Sequence, residues 1–189
     1  MEPSEVEFLG EKQFVSIVPN FNFGIIYLIS GEVGPFRAGL PVRVPIWLAL
    51  GLKQQQKCRI VQQDWMDPDQ LDLLLDAEKT EKFFTQMPSN HFMDEAQMLI
   101  SAAPDDIPEV DRIRTAVKDI WDTRMAKLRS SVISSVKANN SHAKLDHLTA
   151  MEINSIRSLL PDALDVMTHM DQVNKSSTSQ NYDTPSSLR

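Results

Sequence analysis

PEVDRIRTAVKDIWDTRMAKLRSSVISSVKA, residues 108–138, decides how this chain is read, because it predicts one helix too long for the small domain that would contain it. Asp106 and Glu109 have the spacing of a capping box, Pro108 suits a first helical turn, and no glycine interrupts the stretch. Val110, Ile113, Val117, Trp121, Met125, Leu128, Val132 and Val136 recur at helical spacing and form one apolar stripe. At 1.5 Å per residue the helix would be roughly 45 Å long, whereas a compact domain of about 100 residues has a radius of gyration of about 13 Å. Much of the stripe is therefore expected to need a partner chain. A 100° step per residue places Arg114 and Arg124 on either side of Trp121 within the stripe, while Arg112, Asp119, Thr123, Ser130 and Lys137 fall on the opposite, polar side. Arginine and tryptophan together are the residue types enriched at interface hot spots. Ile113, Arg114, Val117, Trp121, Arg124, Met125 and Leu128 are accordingly the candidate partner-interface residues. The competing reading has both arginines snorkelling from the edge of an intramolecular core.

Composition narrows the function classes. The 189 residues are 42% hydrophobic, enough to bury a proper core in one or two domains. A net charge of −7 disfavours autonomous tight binding to DNA or RNA, which rests on neutralising phosphates with Lys and Arg. Cys58 is the single cysteine, so an intrachain disulfide framework is excluded and a reducing compartment, cytosol or nucleus, is expected. The opening MEPSEVEFLGEK is acidic where a leader would be basic, and is read as retained. The longest apolar run, Pro45 to Leu52, falls far short of the roughly 18 residues of a membrane span, so a soluble protein is expected.

Working outward from the long helix, the first 60 residues have a different texture, holding all six glycines, five of them between Gly10 and Gly39. Val6, Phe8 and Leu9 suggest a short opening helix; Phe14 to Val18 and Ile25 to Ile29 read as short strands, and Ser30 to Pro35 as loop. Leu40 to Val44 suits a further strand, which Pro41 and Pro45 confine to an edge. From Pro45 the texture turns helical, with Ile46, Trp47, Leu50 and Cys58 or Ile60 bracketing the polar run Lys53 to Lys57. Asp67-Pro68-Asp69-Gln70 supplies a cap, a first-turn proline and a box partner for a helix burying Leu71, Leu74 and Leu75. A short helix follows through Phe92, Met93, Ala96, Leu99 and Ile100 to the Ala103-Pro104-Asp105 turn. Asn139-Asn140-Ser141 ends the long helix, and Thr149 with Glu152 caps a last one with the stripe Ile153, Ile156, Leu160, Leu164, Met167 and Met170, which Pro161 should kink. The fold class predicted is α+β, a mainly helical domain with a small N-terminal β domain: residues 1–60 the β-rich domain with its following short helix, 61–173 the helical domain, 174–189 a disordered tail.

Chemistry-bearing motifs are missing. No phosphate loop, GxSxG elbow or GxGxxG occurs, so neither a nucleotide cofactor nor a catalytic set is expected. His142, Asp146 and His147 lack metal-ligand spacing, His91 and His169 stand apart, and no metal is expected. Cys58 has no base beside it. An enzyme is unsupported, and the alternative function is a single-strand nucleic-acid-binding module built on Lys53, Lys57 and Arg59 with Trp47 and Trp65 as stacking groups.

Four segments carry a family resemblance: EVEFLGEKQFVSIVPNF, IYLISGEVGPFRAGLPVRVPIWLALGLKQQQKCRI, DIPEVDRIRTAVKDIWDTRMAKLR and HAKLDHLTAMEIN. Together they resemble, from Glu5 to Asn154, the second Partner-of-Sld-Five subunit family of the eukaryotic GINS complex. The resemblance implies one member of a heterotetramer of four related subunits, each with a helical and a small β domain, with the β domain first in this one. It implies a nuclear, chromatin-associated, non-catalytic role with three other GINS subunits. It also implies that these act with the minichromosome-maintenance ATPase ring and the cell-division-cycle forty-five protein in the replicative helicase, where ATP hydrolysis belongs to the ring.

Overall fold

Apolar–polar alternation makes Phe14–Pro19 a strand, β1, which buries Val15 and Ile17 on one side and turns Phe14, Ser16 and Val18 to the other. In the computed structural model, which describes residues 2–137 and 146–157, β1 is the centre of a three-stranded antiparallel sheet. Val42–Pro45 (β4) and Cys58–Ile60 (β5) flank it, with Ile17 opposite both Val42 and Ile60. β4 is an edge strand, as Pro41 and Pro45 require. Ile26–Leu28 (β2) and Gly31–Val33 (β3) form a separate hairpin, closed at its base by the Phe23–Phe36 bridge and by Phe21 stacked on Phe36.

Two expectations are corrected here. Part of the segment read as loop, Ser30 to Pro35, is β3, because its backbone groups pair back onto β2. Cys58 and Ile60 do not continue a helix: Ile46–Gln54 (α2) stops at a turn in which Gln56 has φ 57°, and the chain returns as β5 against β1. The β5 pairing draws on a partner far along the chain, whereas β3 pairs with its neighbour β2 across a tight turn.

The opening helix, Pro3–Gly10 (α1), is closed by a reciprocal capping box between Glu2 and Glu5, with Pro3 in its first turn. Gly10 allows α1 to approach the helix Phe92–Ala102 (α4), since a Cβ there would lie 3.2 Å from Asp94 Cβ. After a 3₁₀ turn at Asp64–Met66, Pro68–Thr80 (α3) starts with Pro68 in first position, but Asp67 caps it through its backbone carbonyl, which accepts from the Leu71 N–H, and not through its side chain. The long helix, Val110–Lys137 (α5), is 28 residues, or about 42 Å. It begins two residues later than Pro108, because Glu109 adopts φ 51°; its carbonyl accepts from the Ile113 N–H in the first turn. Asp106 does not cap it either. Its carboxylate accepts from Lys53 Nζ at 2.7 Å and from the Ile60 N–H at 2.8 Å, so it fastens the start of α5 to α2 and β5.

The last described helix, Ala150–Arg157 (α6), forms half of the predicted Thr149–Glu152 box: the Thr149 N–H donates to the Glu152 carboxylate at 2.8 Å, while the Thr149 hydroxyl is buried without a partner among the described residues. Ile153, expected in its buried stripe, is exposed, and Glu152 is buried instead. One apolar cluster runs from Val15, Ile17, Val44 and Ile46 of the β module through Leu71, Phe92 and Leu99 to Ile113 and Ile120, so sheet and helices share a core. The architecture is α+β. Leu160, Leu164, Met167, Met170, Pro161, His142, His169, the expected Asn139-Asn140-Ser141 stop, the Val136 side chain and the tail at 174–189 lie outside the described residues.

Candidate functional site: the long helix

The row that α5 buries is Ile113, Ala116, Ile120, Arg124 and Leu128, spaced by three and four residues as one helical face demands. The stripe read from sequence is rotated from it, and it omitted Ile120. Both rows satisfy helical spacing, and what decides between them is Arg124. That side chain is 0% exposed. Its Nε and Nη2 donate to the two oxygens of Glu152 at 2.6 and 3.0 Å, and Nη1 donates to Glu78 Oε2 at 2.8 Å. The carbonyls of Thr85 and His147 accept the remaining two bonds at 3.0 and 2.8 Å. All five guanidinium donors are thus used within the chain.

A second cation completes the cluster. Lys127 Nζ donates to Glu78 Oε1 at 2.6 Å and to the backbone carbonyls of Glu78 and Glu81, and the Thr85 hydroxyl donates to Glu78 Oε2. Burial alone would raise the Glu78 carboxyl, but Lys127, Thr85 and Arg124 outweigh it and hold it below the ordinary carboxylate range. Burial opposes the charge on Arg124 as well, yet Glu152 and Glu78 hold its guanidinium above the usual value. The arginine therefore binds the end of α3, the segment around Thr85 and the start of α6 to the middle of α5.

This corrects part of the sequence reading. Ile113, Arg124 and Leu128 have their surfaces covered by the chain's own residues and present nothing for a partner to touch. Local periodicity could not reveal this, since Glu78 and Glu152 lie 46 and 28 residues away. The other four named positions are different. Val117, Trp121 and Met125 are half-buried along the flank of α5, and Arg114 is exposed, bonded to Asp111 one turn back at 3.0 Å. Val117 and Trp121 line a mainly apolar cleft of about 360 Å³ with Met93 and Ile100 of α4 and Met151 of α6; its polar lining is Arg114 and Lys118 of α5 and Asp94 and Gln97 of α4. A mainly apolar lining that includes Trp121 and Arg114 suits a protein partner, with aromatic and arginine anchors of the kind that dominate binding energy.

Of the residues named for the nucleic-acid alternative, Lys57, Arg59 and Trp47 are exposed, while two are engaged within the chain. Lys53 is consumed by Asp106, and Trp65 packs edge-on against Phe92 with ring centroids 4.9 Å apart. Cys58 is buried, and burial pushes its thiol up, away from the reactive thiolate. On α4 and just before it, Asp94 and Glu95 are buried beside His91, with Asp94 Oδ2 3.5 Å from His91 Nδ1, and burial raises both carboxyls.

Residues 2–61 match the family described as the PSF2 N-terminal domain, and residues 65–171 that of the GINS complex protein helical bundle domain. The chain is 53% identical over 167 residues to the human DNA replication complex GINS protein PSF2, covering 88% of this chain and 90% of that one. It is 49% identical over 184 residues to the probable DNA replication complex GINS protein PSF2 of Drosophila melanogaster, covering 97% and 89%. The Schizosaccharomyces pombe DNA replication complex GINS protein psf2 is 34% identical over 173 residues, covering 92% of each chain.

Proposed function

The chain belongs to the PSF2 family of GINS complex proteins, and from that premise we propose that it is a non-catalytic structural subunit of a GINS heterotetramer. It acts in the nucleus, in initiation and elongation of DNA replication, as part of a replicative helicase with the minichromosome-maintenance ATPase ring and the cell-division-cycle forty-five protein. Its two functional units are residues 1–60 and 61–173, with 174–189 as a tail. Arg114, Val117, Trp121 and Met125 face a sister subunit, while Ile113, Arg124 and Leu128 hold the helix that presents them.

The observation that carries this reading is the half-covered flank of α5, where Trp121 lines the α4–α5 cleft with Arg114 and Lys118. A tryptophan left partly open on a helix of about 42 Å is an anchor for another chain. Co-expression with the other three subunits, followed by size-exclusion chromatography with light scattering, tests it. The expected result is one species with the mass of a 1:1:1:1 tetramer, with Arg114→Glu and Trp121→Ala each shifting material to the free subunit. Truncation of a hot-spot residue costs about 2 kcal/mol or more, roughly thirtyfold in affinity. Full assembly of both variants, or elution of the wild-type chain apart from the others, would refute the proposal.

A further inference from the structure

The outer face of the three-stranded sheet carries a one-sided set of side chains. The strand register puts Phe14, Ser16 and Val18 of β1 on that face, with Arg43 of β4 beside Ser16 and Arg59 of β5 beside Val18. Phe14 is 48% exposed and the Arg59 side chain 80%. The Arg43 guanidinium lies over the Phe14 ring, 6.0 Å from its centroid. None of the three strands contributes a carboxylate. Asp106 Oδ1 comes within 3.8 Å of Arg59 Nε, a long ion pair that leaves the arginine side chain 80% exposed. At the end of the sheet where Phe14 pairs with Pro45, the Trp47 N–H donates to the Glu11 carbonyl, and its side chain is 42% exposed.

We infer that this face docks an extended acidic segment of another protein chain, with an apolar side chain seated on Phe14 and carboxylates meeting Arg43 and Arg59. The geometry sets the spacing of those carboxylates. Two strand separations of about 4.8 Å across β1, with a two-residue offset of about 6.8 Å along it, put the arginine Cα atoms roughly 12 Å apart, the reach of side chains four residues apart on an extended segment. A protein segment fits better than a nucleic acid. The face offers two cations roughly 12 Å apart, too few to neutralise a run of phosphates, and Arg43 already covers one side of the Phe14 ring against base stacking. The surface is separate from the α5 flank, so it stands or falls independently of it.

The test uses the assembled heterotetramer and fluorescence anisotropy with three labelled probes: a short Ser/Thr peptide carrying Phe, Asp and Asp at positions i, i+2 and i+6, which share one face of an extended chain, its Lys-for-Asp counterpart, and a dT oligomer of matching length. The acidic peptide is expected to bind and the lysine peptide not. Arg43→Glu and Phe14→Ser should each weaken binding on the order of tenfold, as loss of a close charge pair or an anchor does. Thermal unfolding and the tetramer mass should stay as in the wild type, which separates loss of a surface from loss of the fold. Equal binding of the lysine peptide, no binding of the acidic one, or an unchanged affinity in Arg43→Glu would overturn the inference. Tighter binding of the dT oligomer would overturn it in favour of a nucleic-acid surface.

Discussion

Replacing Arg124 with alanine should damage the fold of this chain and not chiefly its contacts with others. Removal of the guanidinium leaves Glu152, 0% exposed, with the Thr149 N–H as its remaining donor among the described residues, while Glu78 keeps Lys127 and Thr85. Breaking one side of a buried ion pair costs about 3–5 kcal/mol, because the partner charge stays buried without compensation. For a chain of this size that converts to a fall in Tm of roughly 6–20 °C. Arg112 is the control. It meets Asp69 at 2.9 Å and Asp72 at 2.5 Å, but all three side chains are exposed, so Arg112→Ala should leave the Tm close to the wild-type value. Pairing Arg124→Met with Glu152→Gln should recover part of the loss, since the uncompensated charge is what costs most. The assay is thermal unfolding followed by circular dichroism, with assembly measured in parallel. If Arg124→Ala unfolds at the wild-type temperature yet fails to assemble, the side chain acts at a partner and the intramolecular account is wrong.

Asp106→Ala should loosen the β module from the helices, losing charged hydrogen bonds to Lys53 and the Ile60 N–H worth about 1.5–3 kcal/mol each; faster hydrogen exchange at the Ile60 amide is the readout, and unchanged protection would count against it. The Glu78 carboxyl is held below its unfolded value, so its stabilisation is complete above about pH 4.3 and is lost as the pH falls through the folded value. The cost of Glu78→Gln should therefore be large at neutral pH and shrink in acid, and a pH-independent cost would contradict the assignment. Glu95 has the opposite sign: burial raises its carboxyl, so Glu95→Gln should add stability that appears as the pH rises above about 4.3 and be neutral below it; a loss at pH 7 in the same unfolding experiment would refute this.

Several elements were legible because their causes are local. The alternation in Phe14 to Val18, the prolines that hold Leu40 to Val44 at an edge, the Asp67-Pro68 start and the Thr149–Glu152 pairing each act within a few residues. What escaped depends on partners far along the chain. β5 exists because Ile60 meets Ile17, and Cys58-Arg59-Ile60 is too short to announce itself. Asp106 looked like a helix cap and is a clamp, because the Ile60 N–H and Lys53 lie 46 and 53 residues before it. On α5 the spacing predicted a helix but allowed two faces. The row Ile113, Ala116, Ile120, Arg124, Leu128 was a usable signal once a buried arginine was admitted, and Glu78 and Glu152 are the acids that permit one. Of the seven candidate interface residues, four lie on the open flank and three beneath it.

Hydroxyl-radical footprinting of Trp121 and Met125, in the free chain and in the co-expressed heterotetramer, tests most directly whether the flank of α5 is the partner face. Both side chains are half-buried in the chain and chemically reactive, and Tyr27, 74% exposed, provides an internal reference. The expected result is that assembly lowers oxidation of Trp121 and Met125 several-fold relative to Tyr27, while Phe84, already buried beside Arg124, stays unmodified in both states. Equal oxidation of Trp121 and Met125 before and after assembly would show that the sister subunits bind elsewhere.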